Sequence, residues 1–323
     1  MMNTIPSTSK RLQTPYTVVG GEKIDKKRRQ PLNLSLLLLN RGGKIYRQDL
    51  FTELERLGIE EIVSIEGPSS SYDIEQLSGR FPRIKFIILH SIASVGEQIN
   101  IGIEETHSRL IFVIWNDIKL PASALSSRFI ERVLDSNVLC TVPLMQNQKM
   151  QTIPTIQVPA FHKNRLKVVA LPPKSDGMMT LFPFDFVGIY DKQRFTYSGG
   201  FDHNLLHPYW QKMDFGFRVY MWGETIKYNS GFRVSYEEGP PVEDTTPDDS
   251  YKSFFLKNLS IRFKGDTGEL PFSAFIRYLF KSGSSLIQAY REYKEAKRWV
   301  TLNRFRFKQD ARSVTDLWEV PEL

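Results

Sequence analysis

Hydrophobic and polar positions switch between two periods along the first half of the chain. Residues 32–39 form an almost unbroken apolar run that gives way to Asn40-Arg41-Gly42-Gly43. A run this short predicts a strand buried on both faces, and the glycines predict a loop that another backbone or a ligand can approach closely. Residues 46–57 then place Leu50, Phe51, Leu54 and Leu57 on one face of a helix that Gly58 stops. Strand character returns at 61–66 and breaks off at Gly67-Pro68-Ser69-Ser70-Ser71. A short helix over 73–81, a strand over 85–89 and a helix over 94–106 follow, the last with Val95, Ile99 and Ile103 on one face. Leu110-Ile111-Phe112-Val113-Ile114-Trp115 is the most apolar stretch and ends abruptly at Asn116-Asp117. The order β-α-β-α-β-α-β predicts an α/β fold, with helices on both sides of a mainly parallel sheet and right-handed crossovers. Asn116-Asp117 then lies at the sheet's carboxyl edge, where open α/β sheets bind ligands and where a carboxylate can hold a hard divalent cation. An Asp that only supplies turn chemistry is the plainer alternative.

The second half is less regular. A helix over 126–136 and a strand over 138–144 are expected. Pro154, Pro159, Pro172 and Pro173 then interrupt residues 145–183. Strand character resumes over 184–190, and residues 192–197 lead to Gly199-Gly200-Phe201-Asp202. Residues 209–222 make an aromatic-rich helix, and 225–228 and 232–236 two short strands. Residues 237–249, rich in proline and acid, read as a linker. The remainder reads as helical and basic, with an amphipathic helix over 284–300 and the alternating Arg304-Phe305-Arg306-Phe307-Lys308.

Composition narrows the class. The 323 residues suffice for one large domain with an appendage, and no apolar run reaches the eighteen residues of a spanning helix. The polar start of the chain lacks the apolar core of a secretory signal, so a cytoplasmic protein is expected. A single cysteine, Cys140, excludes an intrachain disulfide and a cysteine-rich metal site. The net charge of +7 is carried by the ends: residues 1–30 hold seven Lys/Arg against two acids, and residues 251–308 hold thirteen against four. Residues 1–30, with Lys26-Lys27-Arg28-Arg29, read as a flexible basic tail. Basic ends suit an anionic surface. The amphipathic C-terminal segments suit anionic lipid at the inner face of the membrane or a helical lid with a solvated face, and no nucleic-acid module is recognisable.

Five pieces in order resemble the nucleotide-sugar glycosyltransferases of family 2, which have the GT-A fold. They are the strand ending at Asn40, the strand ending at Glu66 before a serine-rich loop, the helix with Asn100 and Gly102, the Trp115-Asn116-Asp117 strand end, and Gly199-Gly200-Phe201-Asp202 followed by a helix with Asp214 and Arg218. The resemblance covers residues 31–236 and implies a GT-A domain there, with 237–323 as linker and helical C-terminal extension. It implies a hexosyl- or related transferase that takes a nucleoside-diphosphate sugar and a divalent cation, Mg²⁺ or Mn²⁺, to a glycan or lipid-linked acceptor of the cell envelope, with inversion. By the same resemblance Asp117 holds the metal; Asn40, Arg41, Glu66, Asn100, Asn116 and Asp117 meet the donor; Gly200 and Asp202 meet the acceptor. Within the aromatic cluster of residues 209–222, Trp210 is the candidate to stack on an acceptor sugar, although at helical spacing such residues are more often core. The family's Glu-Asp pair, whose Asp serves as base, is replaced by Gln211-Lys212. A lysine is no base at neutral pH without heavy desolvation. Asp214 is the nearest carboxylate and the expected base, with His207 and Asp202 as alternatives and a salt bridge to Arg218 as Asp214's other use. Two rivals stand beside this reading: a nucleotidyltransferase, and a non-catalytic relative that binds a glycan or partner.

Overall fold

In the computed structural model, residues 14–22, 32–42, 47–68, 73–121, 124–163 and 165–318 are described. The basic cluster at 26–29, Gly43 and the serines at 69–71 lie outside them. The order is β1 (Tyr16–Gly20), β2 (Leu32–Leu39), α1 (Gln48–Arg56), β3 (Ile59–Glu66), α2 (Ile74–Arg80), β4 (Ile84–Leu89), α3 (Val95–Glu105), β5 (Leu110–Trp115), β6 (Ile118–Lys119), α4 (Ser127–Asp135) and β7 (Cys140–Gln146). Then follow β8 (Ile156–His162), β9 (Arg165–Leu171), a 3₁₀ turn (Phe184–Phe186), β10 (Gly188–Asp191), α5 (Lys192–Tyr197), α6 (Pro208–Met221) and β11 (Ile226–Tyr236). The C-terminal part holds α7 (Asp249–Phe254), a π turn (Phe255–Leu259), β12 (Arg262–Lys264), β13 (Thr267–Glu269), α8 (Phe272–Ser282), α9 (Leu286–Asn303) and α10 (Ala311–Asp316).

Nine strands form one sheet in the order β1-β4-β3-β2-β5-β10-β7-β11-β6. Strands β4, β3, β2 and β5 run parallel, as do β7 and β11, while β10 runs antiparallel between β5 and β7. All six residues of β5 are buried, which is why its sequence is apolar at every position rather than at every second one. Helix starts follow the expected cap chemistry. The Ser94 side chain accepts from the Glu97 amide at the start of α3, and Ser126 accepts from Phe129 at the start of α4.

Five stretches depart from the sequence expectation. Tyr16–Gly20, inside the segment read as a flexible tail, is an edge strand antiparallel to β4. It is fixed at its start, where Thr14 donates twice to Glu97 and the Tyr16 hydroxyl donates to Glu105. Residues 156–171, read as irregular, form the hairpin β8–β9. Residues 184–187 do not continue β10, because Asp185 (φ 51°) and Phe186 (φ 64°) adopt left-handed backbone and turn the chain. The two strands expected at 225–236 are one strand, β11, whose register shifts between Tyr228 and Arg233. The C-terminal part is also not purely helical, since β12 and β13 pair as a hairpin.

Candidate functional site

The carboxyl ends of β2, β3 and β5 lie side by side, and the polar residues that stop these apolar strands therefore gather at one edge. The Asn40 amide nitrogen donates to the Ser64 hydroxyl (3.1 Å) and the Ile65 carbonyl (2.8 Å), while its Oδ1 is buried with no partner among the described residues. The Arg41 backbone amide donates to Asn116 Oδ1 at 3.2 Å. Its guanidinium donates from Nε and Nη2 to both oxygens of Asp117, at 2.7 and 3.0 Å. The same guanidinium meets Asp185, through Nη1 at 3.1 Å and Nη2 at 2.7 Å, and stacks 4.5 Å above the Trp115 ring. Burial alone would lower the Arg41 pKa, but the hydrogen bonds to Asp117 and Asp185 outweigh it and raise it, so the guanidinium is permanently charged.

Asp185 was not singled out in the sequence, and the turn explains its role. Left-handed backbone at Asp185 and Phe186 swings the carboxylate out of the line of β10, where the Tyr236 hydroxyl donates to it at 2.9 Å. The Trp115 indole donates to the Asp185 carbonyl at 2.8 Å and locks the turn to the end of β5. Burial pushes the Asp185 carboxyl up, and Arg41, Lys212 and Tyr236 only partly oppose this.

A divalent cation was expected at Asp117. Both oxygens of that carboxylate are taken by Arg41, as is Asp185, and among the described residues no group of three His, Cys, Asp or Glu is placed to hold a metal. As folded, these residues do not fit a divalent cation; the guanidinium stands between the two carboxylates that would carry one.

Other expected donor residues serve the frame. Glu66 is fully buried; it accepts from Ser64, from Asn40 and from Arg47, which also grips Asp73. Asn100 uses both ends of its amide on Phe201, accepting from its N–H at 2.9 Å and donating to its carbonyl at 2.7 Å. Gly200 lies beside it at φ +62°, where a Cβ would come within 2.6 Å of Asn100 Oδ1, so glycine is required there. Asn100 and Gly200 thus clamp α3 to the loop before α6.

The expected acceptor and base residues separate. Asp202 is buried and paired with Lys257; burial would raise its pKa, but Lys257 holds it down to about 2. Asp214 is buried, with one oxygen taken by Asn258 (2.7 Å) and the other by Arg218 (3.1 Å), so it is not placed to receive a proton from a substrate. His207 caps no amide and faces Asp244 at 3.5 Å. Trp210 donates its indole N–H to the Thr246 carbonyl and stacks on Phe254. Gln211 secures α3, accepting from the Gly96 amide and donating to Ser94. Lys212, also buried, holds Glu243 and lies 5.2 Å from the Phe186 ring and 5.5 Å from that of Phe182. The loop 237–248, expected as a linker, therefore delivers a carboxylate to α6, and sequence spacing offered no signal for it.

No family model matches the sequence, and no curated protein is similar to it by sequence. Solved structures share its fold. GalNAc-T7 with UDP, GalNAc and Mn²⁺ superposes with a TM-score of 0.56 at 11% identity, over 94% of this chain and 62% of that one. The S. aureus TarS 1–349 structure in complex with UDP-GlcNAc gives 0.50 at 10% identity, over 81% of this chain and 71% of that one. TarS 1–349 without that ligand gives the same score and identity over 81% and 70%. The chain thus has the fold of GT-A glycosyltransferases, and it spans less than two thirds of the GalNAc-T7 structure.

Proposed function

We propose that this chain is a glycosyltransferase whose donor is a nucleoside-diphosphate sugar bound at the carboxyl edge of β2, β3 and β5. The observation that carries the reading is the convergence of Asn40, Arg41, Asn116 and Asp117 there, beside an Asn40 Oδ1 that has no partner among the described residues. A buried acceptor without a donor is rare in proteins and suits the N–H of a base. The charge that meets a diphosphate on this reading is the Arg41 guanidinium, a bidentate phosphate binder, and a bound diphosphate competes with Asp117 for it.

Displacement at the anomeric carbon with inversion needs a base for the acceptor hydroxyl. In place of Asp214 we assign Glu243, which pairs with Lys212, the residue that stands where the resemblance expects the family's catalytic Asp. A lipid-linked acceptor is supported by the C-terminal surface. Phe272, Ile276 and Phe280 recur every fourth residue on α8 and are 59, 48 and 84% exposed, next to exposed Leu286 and Ile287 on α9. An apolar stripe of this kind beside basic residues suits the surface of an anionic membrane. Among the described residues, no helix is long and apolar enough to cross one.

A non-catalytic, sugar-nucleotide-binding relative is the second reading, favoured by Lys212 at the base position. The test is a thermal-shift panel of nucleoside diphosphates and their sugars, followed by NMR of sugar release from whichever sugar binds. A hundredfold excess over the dissociation constant stabilises the fold by about 2.7 kcal/mol. Binding lost in Asn40→Ala, with sugar release lost in Glu243→Gln, is expected. Binding without release favours the non-catalytic reading, and stabilisation by none of the nucleotides overturns both.

A further inference from the structure

A cavity of about 650 Å³ is lined along α6 by Tyr209, Trp210 and Met213. Its size falls within the range of ligand sites rather than packing defects. The hairpin β8–β9, the start of α6, α7 with its π turn, and α8 enclose it. Its floor is aromatic and aliphatic: Tyr209, Trp210 and Met213 from α6, and Tyr251, Phe254 and Phe255 from the segment that follows the loop. Its rim is basic: Arg165, Arg262, Arg277, Lys281 and Arg312, with no Asp or Glu in the lining.

Among the described residues, none of these five side chains has a carboxylate partner. The cations that the protein pairs with carboxylates at its core, Arg41, Arg47, Lys212, Arg218 and Lys257, are buried or half-buried, whereas these five are exposed and gathered around one hollow. Acids on the neighbouring segments are engaged otherwise: Asp248 caps α7 through the Tyr251 amide, Asp249 pairs with Lys252, and Asp310 caps α10 through the amides of Arg312 and Ser313. Lys281 lies 5.4 Å over the Phe255 ring, where charged rim and apolar floor meet. Five like charges around an aromatic hollow repel one another, so an anionic group at the mouth with an apolar body below relieves the repulsion and covers the rings. Arg277 and Lys281 stand on α8 next to Ile276 and Phe280 of its exposed apolar stripe, so the cavity opens beside the face that suits a membrane.

We propose that this cavity binds a lipid with a phosphate head group, the phosphate on the Arg277–Lys281 side of the rim and the chain against Trp210, Tyr251 and Phe255. The assignment stands on the cavity itself and holds whether or not the chain is a transferase.

The experiment is calorimetric titration of the full chain with dodecyl phosphate below its critical micelle concentration. Dodecyl maltoside supplies the tail without the charge, and inorganic phosphate the charge without the tail. Saturable binding of dodecyl phosphate is expected, at least tenfold tighter than either control. The exposed pair Arg277→Ala/Lys281→Ala, checked by circular dichroism, is expected to weaken it at least tenfold. Phe280→Ser, on the outer face of α8, is expected to leave it unchanged. Equal binding of dodecyl maltoside or of inorganic phosphate overturns the proposal. So does binding that survives the double substitution, loss of binding in Phe280→Ser, which would mean adsorption to the outer face, or no binding at all.

Discussion

Replacing Arg41 by alanine removes one guanidinium and leaves two carboxylates facing each other. The side chains of Arg41, Asp117 and Asp185 are 26, 23 and 9% exposed, so the cluster is mostly but not fully withdrawn from water. Breaking a buried ion pair from one side costs about 3–5 kcal/mol, and partial exposure here lowers that to roughly 2. The stacking on Trp115 at 4.5 Å adds about 1 kcal/mol. The expected loss is therefore about 3 kcal/mol, a fall in melting temperature of about 6 °C for a chain of this size. Urea unfolding followed by circular dichroism measures it. The loss shrinks at low pH by a definite sign: burial raises the Asp185 carboxyl in the folded state, so the native form holds that proton more tightly than the unfolded chain does. Stability therefore falls as pH rises from about 4 through the raised folded value, and more steeply once Arg41 no longer opposes the shift. Manganese gives the decisive arm. The wild type should show no Mn²⁺-dependent stabilisation without nucleotide, whereas Arg41→Ala frees Asp117 and Asp185 and should recover about 1.4 kcal/mol at a tenfold excess of Mn²⁺ over its dissociation constant. Wild-type protein stabilised by Mn²⁺ as much as the variant, or a variant that loses less than about 0.5 kcal/mol, against the 2–3 that removing one partner of this pair predicts, would refute the reasoning.

Other outcomes follow from the same geometry. Asp202, held at about 2 by Lys257 against an ordinary value of 3.8, contributes about 2 kcal/mol that is complete above pH 4.5 and lost as pH falls toward 2; Asp202→Asn should flatten that limb of an acid-unfolding curve. A Cβ on Gly216 would lie 2.2 Å from the Leu181 carbonyl oxygen, so Gly216→Ala should cost about 3 kcal/mol in denaturant melts by pushing α6 off its neighbour. Asn100→Ala removes two hydrogen bonds to Phe201 and should cost about 2 kcal/mol while leaving nucleotide affinity within twofold; a larger affinity loss in titration would return Asn100 to the donor site.

The expected strands and helices of the first half, from β2 through β7, lie where the alternation of apolar runs and amphipathic helices placed them, because each is a local pattern paid back by burial on a shared sheet. The strand-end position of Asn40, Glu66 and Asp117 was legible for the same reason: a buried strand must end where its apolar run ends. What those side chains touch was not legible. Glu66 carries a carboxylate at a strand end whether it faces a ligand or Arg47, and only the packing of the chain before α1 decides that it is sealed. Asp214 and Arg218 were readable as an i, i+4 pair, yet Asn258, 44 residues on, fixes Asp214's second oxygen.

The sequence by itself determined the mainly parallel α/β layering, the edge at which polar residues collect, and the Gln211-Lys212 pair where the resemblance would have two acids. Tertiary structure alone decided that Arg41 grips Asp117 and an Asp185 swung out by left-handed backbone, that Glu243 reaches Lys212 from a loop, and that basic residues from β9 to α10 ring one aromatic hollow. The physical reason is separation along the chain. Periodicity records which face of an element is buried, whereas partners 31 to 144 residues apart meet only after the elements have packed.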